Sequence, residues 1–135
     1  MIDDSQSRRR VVAAIGTGAA TLLAGCLRAE ICETVVEAVQ QVDPGAELEE
    51  SVALEPGIRI YVRSVRLNGG RPEVTIENPD GDVVRRVGPS DHLEAVYGAD
   101  TGGVHTIVLR NASAVQTARW ETTVVVYDGW CRTVF

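Results

Sequence analysis

Short segments of alternating apolar and polar residues, separated by turn sequences, make up this chain from residue 46 to residue 127. Alternation with a period of two buries one face of a strand, and turns at a spacing of about 8 to 12 residues are typical of an antiparallel β-sandwich. We therefore predict an all-β fold, an antiparallel β-sandwich of about seven strands. Near Ser64 the apolar positions change from even to odd numbers, which predicts a β-bulge. The predicted strands cover residues 47–54, 58–67, 74–77, 83–87, 93–97, 104–109 and 120–127.

The Asn-Pro-Asp-Gly sequence at residues 78–81 predicts the turn of a hairpin. The same residues can be read as the start of a calcium-binding loop. An EF-hand loop that began at Asn78 would have Pro89 at its twelfth position, where an acidic ligand is required. A hairpin turn is the preferred interpretation, and a surface cation near Asp80 and Asp82 is the alternative.

Residues 28–42 carry apolar side chains at spacings of three and four, which favours a short amphipathic helix. Glu30 and Glu33 fall in its first turn, where the helix dipole favours acidic side chains. An Asp-Pro-Gly sequence at residues 43–45 ends it. The β-branched Thr-Val-Val run at residues 34–36 favours a strand instead. We expect the helix and keep the strand as the alternative.

The first 26 residues have the layout of an export signal. Arg8 and Arg9 precede a weakly apolar stretch at residues 11–24, and Leu-Ala-Gly-Cys ends it at residues 23–26. A charged start, a short apolar segment and small residues at the cleavage site are typical of a cleaved signal helix. The rival interpretation, a transmembrane helix, needs about 20 mostly apolar residues, and this stretch is too short.

Two known signals resemble this segment. Ser-Arg-Arg-Arg-Val-Val at residues 7–12 resembles the twin-arginine (Tat) export signal, with Arg8 and Arg9 as the paired arginines. Leu-Ala-Gly-Cys resembles a lipobox, which implies cleavage before Cys26 and lipidation of its sulfur. The resemblance implies an exported protein whose membrane contact is the lipid on Cys26, at the outer face of the cell membrane.

The chain has 13 arginines, no lysine and an excess of acidic residues. Without residues 1–25 it carries 17 acidic and 10 arginine side chains, a net charge of −7. No basic stripe with interleaved aromatic residues is present, which argues against nucleic-acid binding. At molar salt the screening length falls to about 3 Å, so a protein adapted to salt tolerates this charge. Acidic, lysine-free chains with twin arginines and a lipobox resemble the exported lipoproteins of halophilic archaea.

Cys32 and Cys131 are the two cysteines that remain once Cys26 carries a lipid. An even number of cysteines in an oxidising exterior favours a disulfide. A bond between them would close a loop of about 100 residues, worth about 4 to 5 kcal/mol in the chain-entropy model. Two unpaired thiols are the alternative. The two cysteines lack metal-ligand spacing, and no Cys-x-x-Cys motif is present.

Four stretches of the predicted sandwich carry a family resemblance. They are Glu-Pro-Gly-Ile-Arg-Ile-Tyr-Val at residues 55–62, Val-Thr-Ile-Glu-Asn-Pro-Asp-Gly-Asp-Val-Val at 74–84, Gly-Val-His-Thr-Ile-Val-Leu-Arg-Asn at 103–111, and the strand at 120–127. Through them residues 47–127 resemble the GOLD (Golgi dynamics) type of β-sandwich. Such domains are protein-interaction or cargo-binding modules without catalytic residues. The resemblance therefore implies a binding module and transfers no site residue.

Histidine, the usual proton-transfer residue near neutral pH, occurs only at His92 and His105. His92 lies in a polar turn before a strand and His105 at an exposed-type strand position, so both are expected on the surface. No hydrolase, zinc-protease or phosphate-loop motif is present. A blue-copper site usually takes an axial methionine, and Met1 leaves with the signal. We expect no catalytic residue, no cofactor and no bound metal ion.

Three surface features remain. An Asn-Ala-Ser sequon in a predicted loop makes Asn111 a candidate glycosylation site. An acidic run is expected to be a solvated face, with a docking surface for a basic partner as the alternative. Its members are Glu47, Glu49, Glu50 and Glu55. Trp120, Tyr127 and Trp130 are expected to pack in the core and its rim, with a carbohydrate platform as the alternative.

The sequence thus predicts three regions: a signal peptide with lipobox at 1–25, a lipidated N-terminus with the amphipathic helix at 26–45, and the sandwich at 46–135. The expected function is a non-catalytic, lipid-anchored cell-surface module that binds a protein or ligand of the envelope. The first alternative is an accessory subunit of an envelope transport or secretion complex. The second is a small exported enzyme or copper protein.

Overall fold

The computed structural model describes residues 31–129, and the predicted signal peptide lies outside this range. Residues 31–129 form eight β-strands and no helix. The strands are β1 (Cys32–Val42), β2 (Glu47–Leu54), β3 (Arg59–Asn68), β4 (Pro72–Glu77), β5 (Val83–Val87), β6 (His92–Gly98), β7 (Gly103–Asn111) and β8 (Ala118–Tyr127).

Two four-stranded sheets pack face to face. Sheet A has the strand order β1-β8-β3-β6 and sheet B the order β2-β7-β4-β5. Every neighbouring pair of strands is antiparallel. The predicted class, an antiparallel β-sandwich, is confirmed, and the described residues contain one strand more than the expected number.

The core between the sheets is built mainly from β-branched side chains, which suit strands because they pack well on a pleated surface. Burial of one such side chain stabilises the fold by about 1.5–3 kcal/mol. The indole of Trp120 is fully buried among them, and its Nε1–H donates to the carbonyl oxygen of Gly70 at 2.9 Å. The fully buried aliphatic members include Val52, Ile60, Val62, Val74, Ile76, Ile107 and Val124.

The predicted helix over residues 28–42 is wrong for the part that the structure describes. β1 pairs with β8 along its length, so residues 32–42 belong to sheet A rather than to a segment before the sandwich. A β-bulge between Thr34 and Val36 explains the misleading pattern. The bulge buries both Val35 and Val36, and this breaks the period of two so that the apolar spacings become three and four.

The predicted bulge in β3 is displaced. The register shift lies between Arg66 and Asn68, whereas Ser64 keeps its place on the inner face. The hydroxyl of Ser64 forms a hydrogen bond of 3.0 Å with the hydroxyl of Thr122, and both are buried. The sequence suggested a slip at Ser64 because a polar residue occupies a core position, and a cross-strand hydroxyl pair makes that position acceptable.

One end of the sandwich is closed around the side chain of Asn111, which is fully buried. Its Nδ2 donates to the carbonyl oxygens of Val42, Asp43 and Gln116 at 3.2, 3.2 and 2.8 Å. Its Oδ1 accepts from the backbone N–H of Ser113 at 2.9 Å. One side chain thereby joins the β1–β2 turn to the β7–β8 loop.

Two glycines let the β3–β4 turn reach this network. A Cβ on Gly70 would lie 1.8 Å from Oδ1 of Asn111, closer than any real contact. Gly69 has φ +75°, and a Cβ there would lie 1.7 Å from the carbonyl oxygen of Thr117. Only glycine fits at both positions, so the turn can pack directly against the loop that Asn111 organises.

Replacing Asn111 by alanine removes these four hydrogen bonds, and an unsatisfied buried polar group costs about 1–3 kcal/mol. We expect Asn111→Ala to lower the free energy of unfolding by about 3 kcal/mol, measured by chemical denaturation. Asn68→Ala, at an exposed asparagine, is the control and should change it by less than about 0.5 kcal/mol. An Asn111→Ala midpoint equal to that of the wild type would contradict this role.

Candidate functional site

Charged residues are segregated along the chain, and the topology converts this into two different sides of the sandwich. Residues 31–58 contain seven acidic residues and no arginine, and they form β1 and β2. β1 is an edge of sheet A and β2 is an edge of sheet B. The short connection at residues 43–46 joins the two edges on one side. We call this side the acidic edge, defined by the exposed residues Glu33, Glu37, Asp43, Glu47, Glu49 and Glu55.

The opposite side is formed by β5 and β6, which contact each other. We call it the arginine edge, defined by Arg85 and Arg86 of β5 together with Arg66 and Arg71, which reach Asp91 just before β6. Arg66 and Arg71 each direct Nε to Oδ1 of Asp91 at 2.9 Å. The hydrogen bond from Arg66 is the main reason that the pKa of the Asp91 carboxyl lies below its ordinary value. Two guanidinium groups share one carboxylate, so this corner keeps a net positive charge.

Arg85 protects β5 from pairing with another chain. It lies opposite Ile76, which is fully buried on the inner face, yet Arg85 itself is exposed. A charged side chain that points inward from an edge strand opposes addition of a further strand. β2 likewise carries an acidic side chain, Glu50, on its inner face, whereas the acidic side chains of β1 are exposed.

Two titratable side chains are buried between the sheets, and the sequence analysis missed both. His105 has no exposed surface, so its prediction as a surface residue is wrong. Glu50 is 2% exposed, unlike the other members of the predicted acidic run. The signal was present in the alternation, because Glu50 shares its parity with Val52 and His105 shares its parity with Ile107. Both residues were expected on the surface because they are polar, although the period-two alternation placed them on the inner face.

The hydrogen bond of His105 shows which of its two ring nitrogens carries a hydrogen. Nδ1 lies 3.0 Å from the carbonyl oxygen of Gly103, which can only accept, so Nδ1 carries the hydrogen. Nε2 finds no hydrogen-bond partner among residues 31–129. The ring of Tyr97 lies 5.9 Å away between centroids, tilted by 45°. Packing and one hydrogen bond to its own strand therefore hold the imidazole.

His105 and Glu50 lie on the same inner face of neighbouring strands. His105 is in register with Val52, and Glu50 is in register with Ile107, so the two are diagonal neighbours. Both are closed off from solvent, and a substrate cannot reach them without opening the sheets. No group of three or more His, Cys, Asp or Glu side chains in the described range is arranged to hold a metal ion.

The remaining predicted positions have varied outcomes. His92 is exposed at the start of β6, as expected. Asn78 closes the β4–β5 turn, since its Oδ1 accepts from the backbone N–H groups of Asp80 and Asp82. This confirms the hairpin interpretation. Trp120 and Tyr127 are buried as predicted, whereas Trp130 lies outside the described residues.

The sequon residue is a structural group in the folded chain. A glycan is attached to Nδ2 of asparagine, and in Asn111 this nitrogen is buried and donates to three carbonyl oxygens. The folded domain therefore does not offer the nitrogen to a modifying enzyme. Sequence reasoning placed the sequon in a loop, but Asn111 is the last residue of β7 and its side chain points inward.

The export and disulfide predictions fall largely outside the structure. Arg8, Arg9, Cys26 and Cys131 do not belong to the described residues. Cys32 begins β1 and is in register with Tyr127, near the end of the described chain. The Cys32–Cys131 bond stays a prediction. Within residues 31–129 no helix has the length and apolar character needed to span a membrane.

An unusual phenol lies on the outer face of sheet A. The hydroxyl of Tyr61 donates to Oε2 of Glu94 on the neighbouring β6 at 2.5 Å. Burial, followed by the hydrogen bond to Glu94 and its charge, raises the pKa of Tyr61 to about 12, against the opposing charge of Arg63. Because the folded pKa exceeds the ordinary value of 10.0, the stabilisation from this phenol is complete below pH 10.0 and is lost toward pH 12.

We expect spectrophotometric titration to show one of the three tyrosines ionising near pH 12, and Glu94→Gln to lower that pKa because the repelling carboxylate is removed. Glu121→Gln is the control, since Glu121 is an exposed acid on the same face that does not contact Tyr61. Ionisation of all three tyrosines near the ordinary value would contradict the assignment.

Comparisons with known proteins support the fold alone. No family model and no curated protein matches the chain. Among solved structures, PliG of Aeromonas hydrophila, a periplasmic lysozyme inhibitor of g-type lysozyme, is similar with a TM-score of 0.55 and 9% identity, over 73% of this chain and 89% of that one. A carbohydrate-binding module (CBM6cm-2) from Cellvibrio mixtus lichenase 5A is similar over 76% of this chain and 98% of that one, with 14% identity and a TM-score of only 0.38.

Proposed function

We propose that this protein is an exported, lipid-anchored β-sandwich that binds a cationic protein partner through its acidic edge, without catalysis. The observation that carries the proposal is the placement of six exposed acidic residues on the edge strands β1 and β2 and on the residues that directly follow each of them. The net charge of −7 after signal removal has the same sign, so the field of the whole molecule would attract a basic partner.

Binding accounts for the structure better than catalysis does. The buried histidine and glutamate are closed off from solvent, and the described residues hold no cluster that would bind a metal. The similar fold of a lysozyme inhibitor is an example of a sandwich that acts by binding another protein. At 9% identity that likeness does not extend to the target, so the partner is defined here only by its charge.

The acidic edge offers two kinds of contact. Its carboxylates can form charge-assisted hydrogen bonds to guanidinium groups of a partner. The backbone of β1 can also add a strand of the partner to sheet A. At high salt only ion pairs in direct contact retain their strength, because the salt screens the electrostatic attraction between charges that lie farther apart.

The alternative function, an accessory subunit of an envelope transport or secretion complex, uses the same surface with a permanent partner. The two functions differ in how long the complex with the partner lasts. A subunit would remain bound to its complex during purification in detergent, whereas a free-standing module would purify alone. The GOLD resemblance and the adaptation to salt remain predictions that agree with either function.

Replacing Cys26 by serine tests the anchor. We expect the wild-type protein to stay in the membrane fraction with an intact mass that begins at a lipidated Cys26. We expect Cys26→Ser to lose this retention, because a lipid chain supplies about 0.8 kcal/mol for each buried CH₂ group. Cys32→Ser is the control and should remain in the membrane. A Cys26→Ser protein held as firmly as the wild type, with Met1 still present, would disprove lipid anchoring.

A photo-crosslinking amino acid placed at Val39 tests the acidic edge. Val39 is 43% exposed on β1, and the control position, Val83, is 50% exposed on β5 of the arginine edge. In intact membranes we expect a protein adduct from position 39 and none from position 83. The double substitution Glu37→Arg with Glu47→Arg should abolish the adduct, because it replaces attraction by repulsion.

The substitutions Asp80→Arg with Asp82→Arg change the net charge equally but lie in the β4–β5 turn, and they should leave the adduct intact. Equal loss with both pairs would mean that net charge, rather than the acidic edge, controls binding. Absence of any adduct at position 39 would contradict the binding function itself.

A further inference from the structure

The end of β3, the start of the β3–β4 turn and the residues just before β6 bring two arginines to one aspartate. Nε of Arg66 and Nε of Arg71 each lie 2.9 Å from Oδ1 of Asp91, so both donate to the same carboxylate oxygen. The side chains of Arg66, Arg71 and Asp91 are 36%, 59% and 55% exposed, which leaves all three open to solvent. We call these three residues the Asp91 corner.

The Asp91 corner has one positive charge more than its own carboxylate balances. Two guanidinium groups meet one carboxylate, and in the described range no other acidic side chain forms an ion pair with Arg66 or Arg71. Like charges that are held together repel each other. Two exposed arginines on flexible stems would move apart if nothing held them, so the arrangement suits the arrival of a second anion.

Backbone contacts fix the positions from which these side chains extend. The N–H of Arg66 donates to the carbonyl oxygen of Asp91 at 2.8 Å, and the N–H of Ala112 donates to the carbonyl oxygen of Arg71 at 3.0 Å. Nη1 of Arg66 also donates to the carbonyl oxygen of Gly69 at 3.1 Å. The fold and the shared carboxylate therefore order both guanidinium groups before any ligand binds, and such preorganisation favours binding.

Both guanidinium groups keep hydrogen-bond donors that no residue in the range 31–129 uses. Arg71 donates through Nε alone, which leaves its two Nη groups. Arg66 donates through Nε and Nη1, which leaves its Nη2. A guanidinium presents its N–H groups as a planar fork that matches the paired oxygens of a carboxylate or a phosphate. The Asp91 corner therefore offers two ordered forks with free donors.

The charged side chains on the strands beside the corner balance one another. Glu73 on β4 is paired with Arg110 at 3.0 Å. One residue of each sign on β8, Arg119 and Glu121, lies in register with the end of β3. The excess positive charge thus belongs to the Asp91 corner itself. At molar salt the negative charge of the whole molecule repels an anion little, because the screening length is about 3 Å.

The Asp91 corner lies at the end of sheet A away from the start of β1. Through β8, Arg59 is level with Cys32, whereas Arg66 is level with Gln40. The seven residues from Arg59 to Arg66 span about 23 Å at about 3.3 Å per residue. In the proposed function the lipid anchor precedes Cys32, so the corner lies at the end of the molecule that is farther from the attachment point. This placement favours a ligand outside the cell over a headgroup of the membrane.

We propose that the Asp91 corner is a binding site for an oxyanion, a carboxylate, sulfate or phosphate group of a ligand outside the cell. The Nη groups of Arg66 and Arg71 donate to the oxygens of this group, and Asp91 holds the two guanidinium groups in place. The bound anion balances the second positive charge. The site does not overlap with the acidic edge, and only its distance from the membrane rests on the proposed anchor.

Titration with inorganic sulfate tests the site on the mature protein, purified from membranes in detergent and labelled with ¹⁵N-arginine. Sodium sulfate replaces sodium chloride at constant ionic strength, and NMR follows the Nε–Hε signals. We expect the signals of Arg66 and Arg71 to shift and to saturate. The signal of Arg86, an exposed arginine on β5, is the internal control and should not saturate. No saturable shift at Arg66 and Arg71, or an equal shift at Arg86, would overturn the proposal.

Removing one guanidinium should weaken the binding of sulfate. We expect Arg71→Gln to raise the sulfate concentration at half-saturation by about tenfold or more, because charge-assisted hydrogen bonds are lost. Arg86→Gln makes the same change of charge on β5 and should leave that concentration unchanged. The fluorescence of Trp120, which is fully buried in the core, reports that each variant is folded. Equal weakening by both variants would overturn the proposal.

Asp91→Asn distinguishes an ordered site from a simple excess of positive charge. The substitution removes one negative charge, so nonspecific attraction predicts tighter binding of sulfate. In the proposed site it removes the acceptor that holds the two guanidinium groups together, and we expect binding to weaken several-fold. Asp82→Asn, in the exposed β4–β5 turn, makes the same change of charge and should have no effect. Tighter binding by Asp91→Asn would show a loose positive patch and would overturn the proposal.

The unlipidated Cys26→Ser protein identifies the source of the oxyanion. We expect it to bind dextran sulfate, with neutral dextran as the control, and to lose this binding when Arg71→Gln is added. We expect no binding to vesicles of phosphatidylglycerol. Binding to these vesicles without binding to dextran sulfate would assign the site to a lipid headgroup and would overturn the external ligand. The sulfate titration needs neither the anchor nor the acidic edge, so its failure and that of the proposed function are distinguishable.

Discussion

The side chain of Asn111 holds together the end of the sandwich where three connections meet. Its amide nitrogen donates to three carbonyl oxygens from two different turns, and its amide oxygen accepts from a backbone N–H in the β7–β8 loop. Without such a group those backbone atoms would be buried and unpaired, which proteins rarely tolerate. The close approach of Gly70 depends on the same side chain. This one residue therefore ties the ends of β1 and β7 to the β7–β8 loop.

The strand order of the two sheets then decides on which side of the sandwich the charged side chains lie. Because β1 and β2 are the outermost strands on one side, an acidic stretch of sequence is placed along a single side of the sandwich. The arginines on the opposite side are partly neutralised by Asp91, and Arg85 opposes strand addition there. The first side therefore carries acidic residues alone, whereas arginines and acidic residues are mixed on the other. This asymmetry supports the proposed binding function.

Prediction from the sequence succeeded where the residue types and the period-two alternation indicated the same element. β2 and β5 begin and end at the predicted residues, and the Asn78 turn forms the predicted hairpin. It failed where a single residue disturbed the period, as the bulge at Thr34 did in β1. It also failed where a polar residue occupied an inner position. For His105 and Glu50 the alternation was correct, and the assumption that polar residues lie outside was not.

The sequence by itself determined the class of fold, the turns and the acidic character of the first two strands, because alternation, glycine and charge act locally. The tertiary structure alone decided that residues 32–42 complete sheet A, that the sequon asparagine is a buried connector, and that each acidic strand is the edge of a sheet. Each of these depends on contacts between residues far apart in the chain. A local sequence can be compatible with a helix or a strand. Pairing between strands that are distant in the chain decides between them, since a strand is stable only with its neighbours.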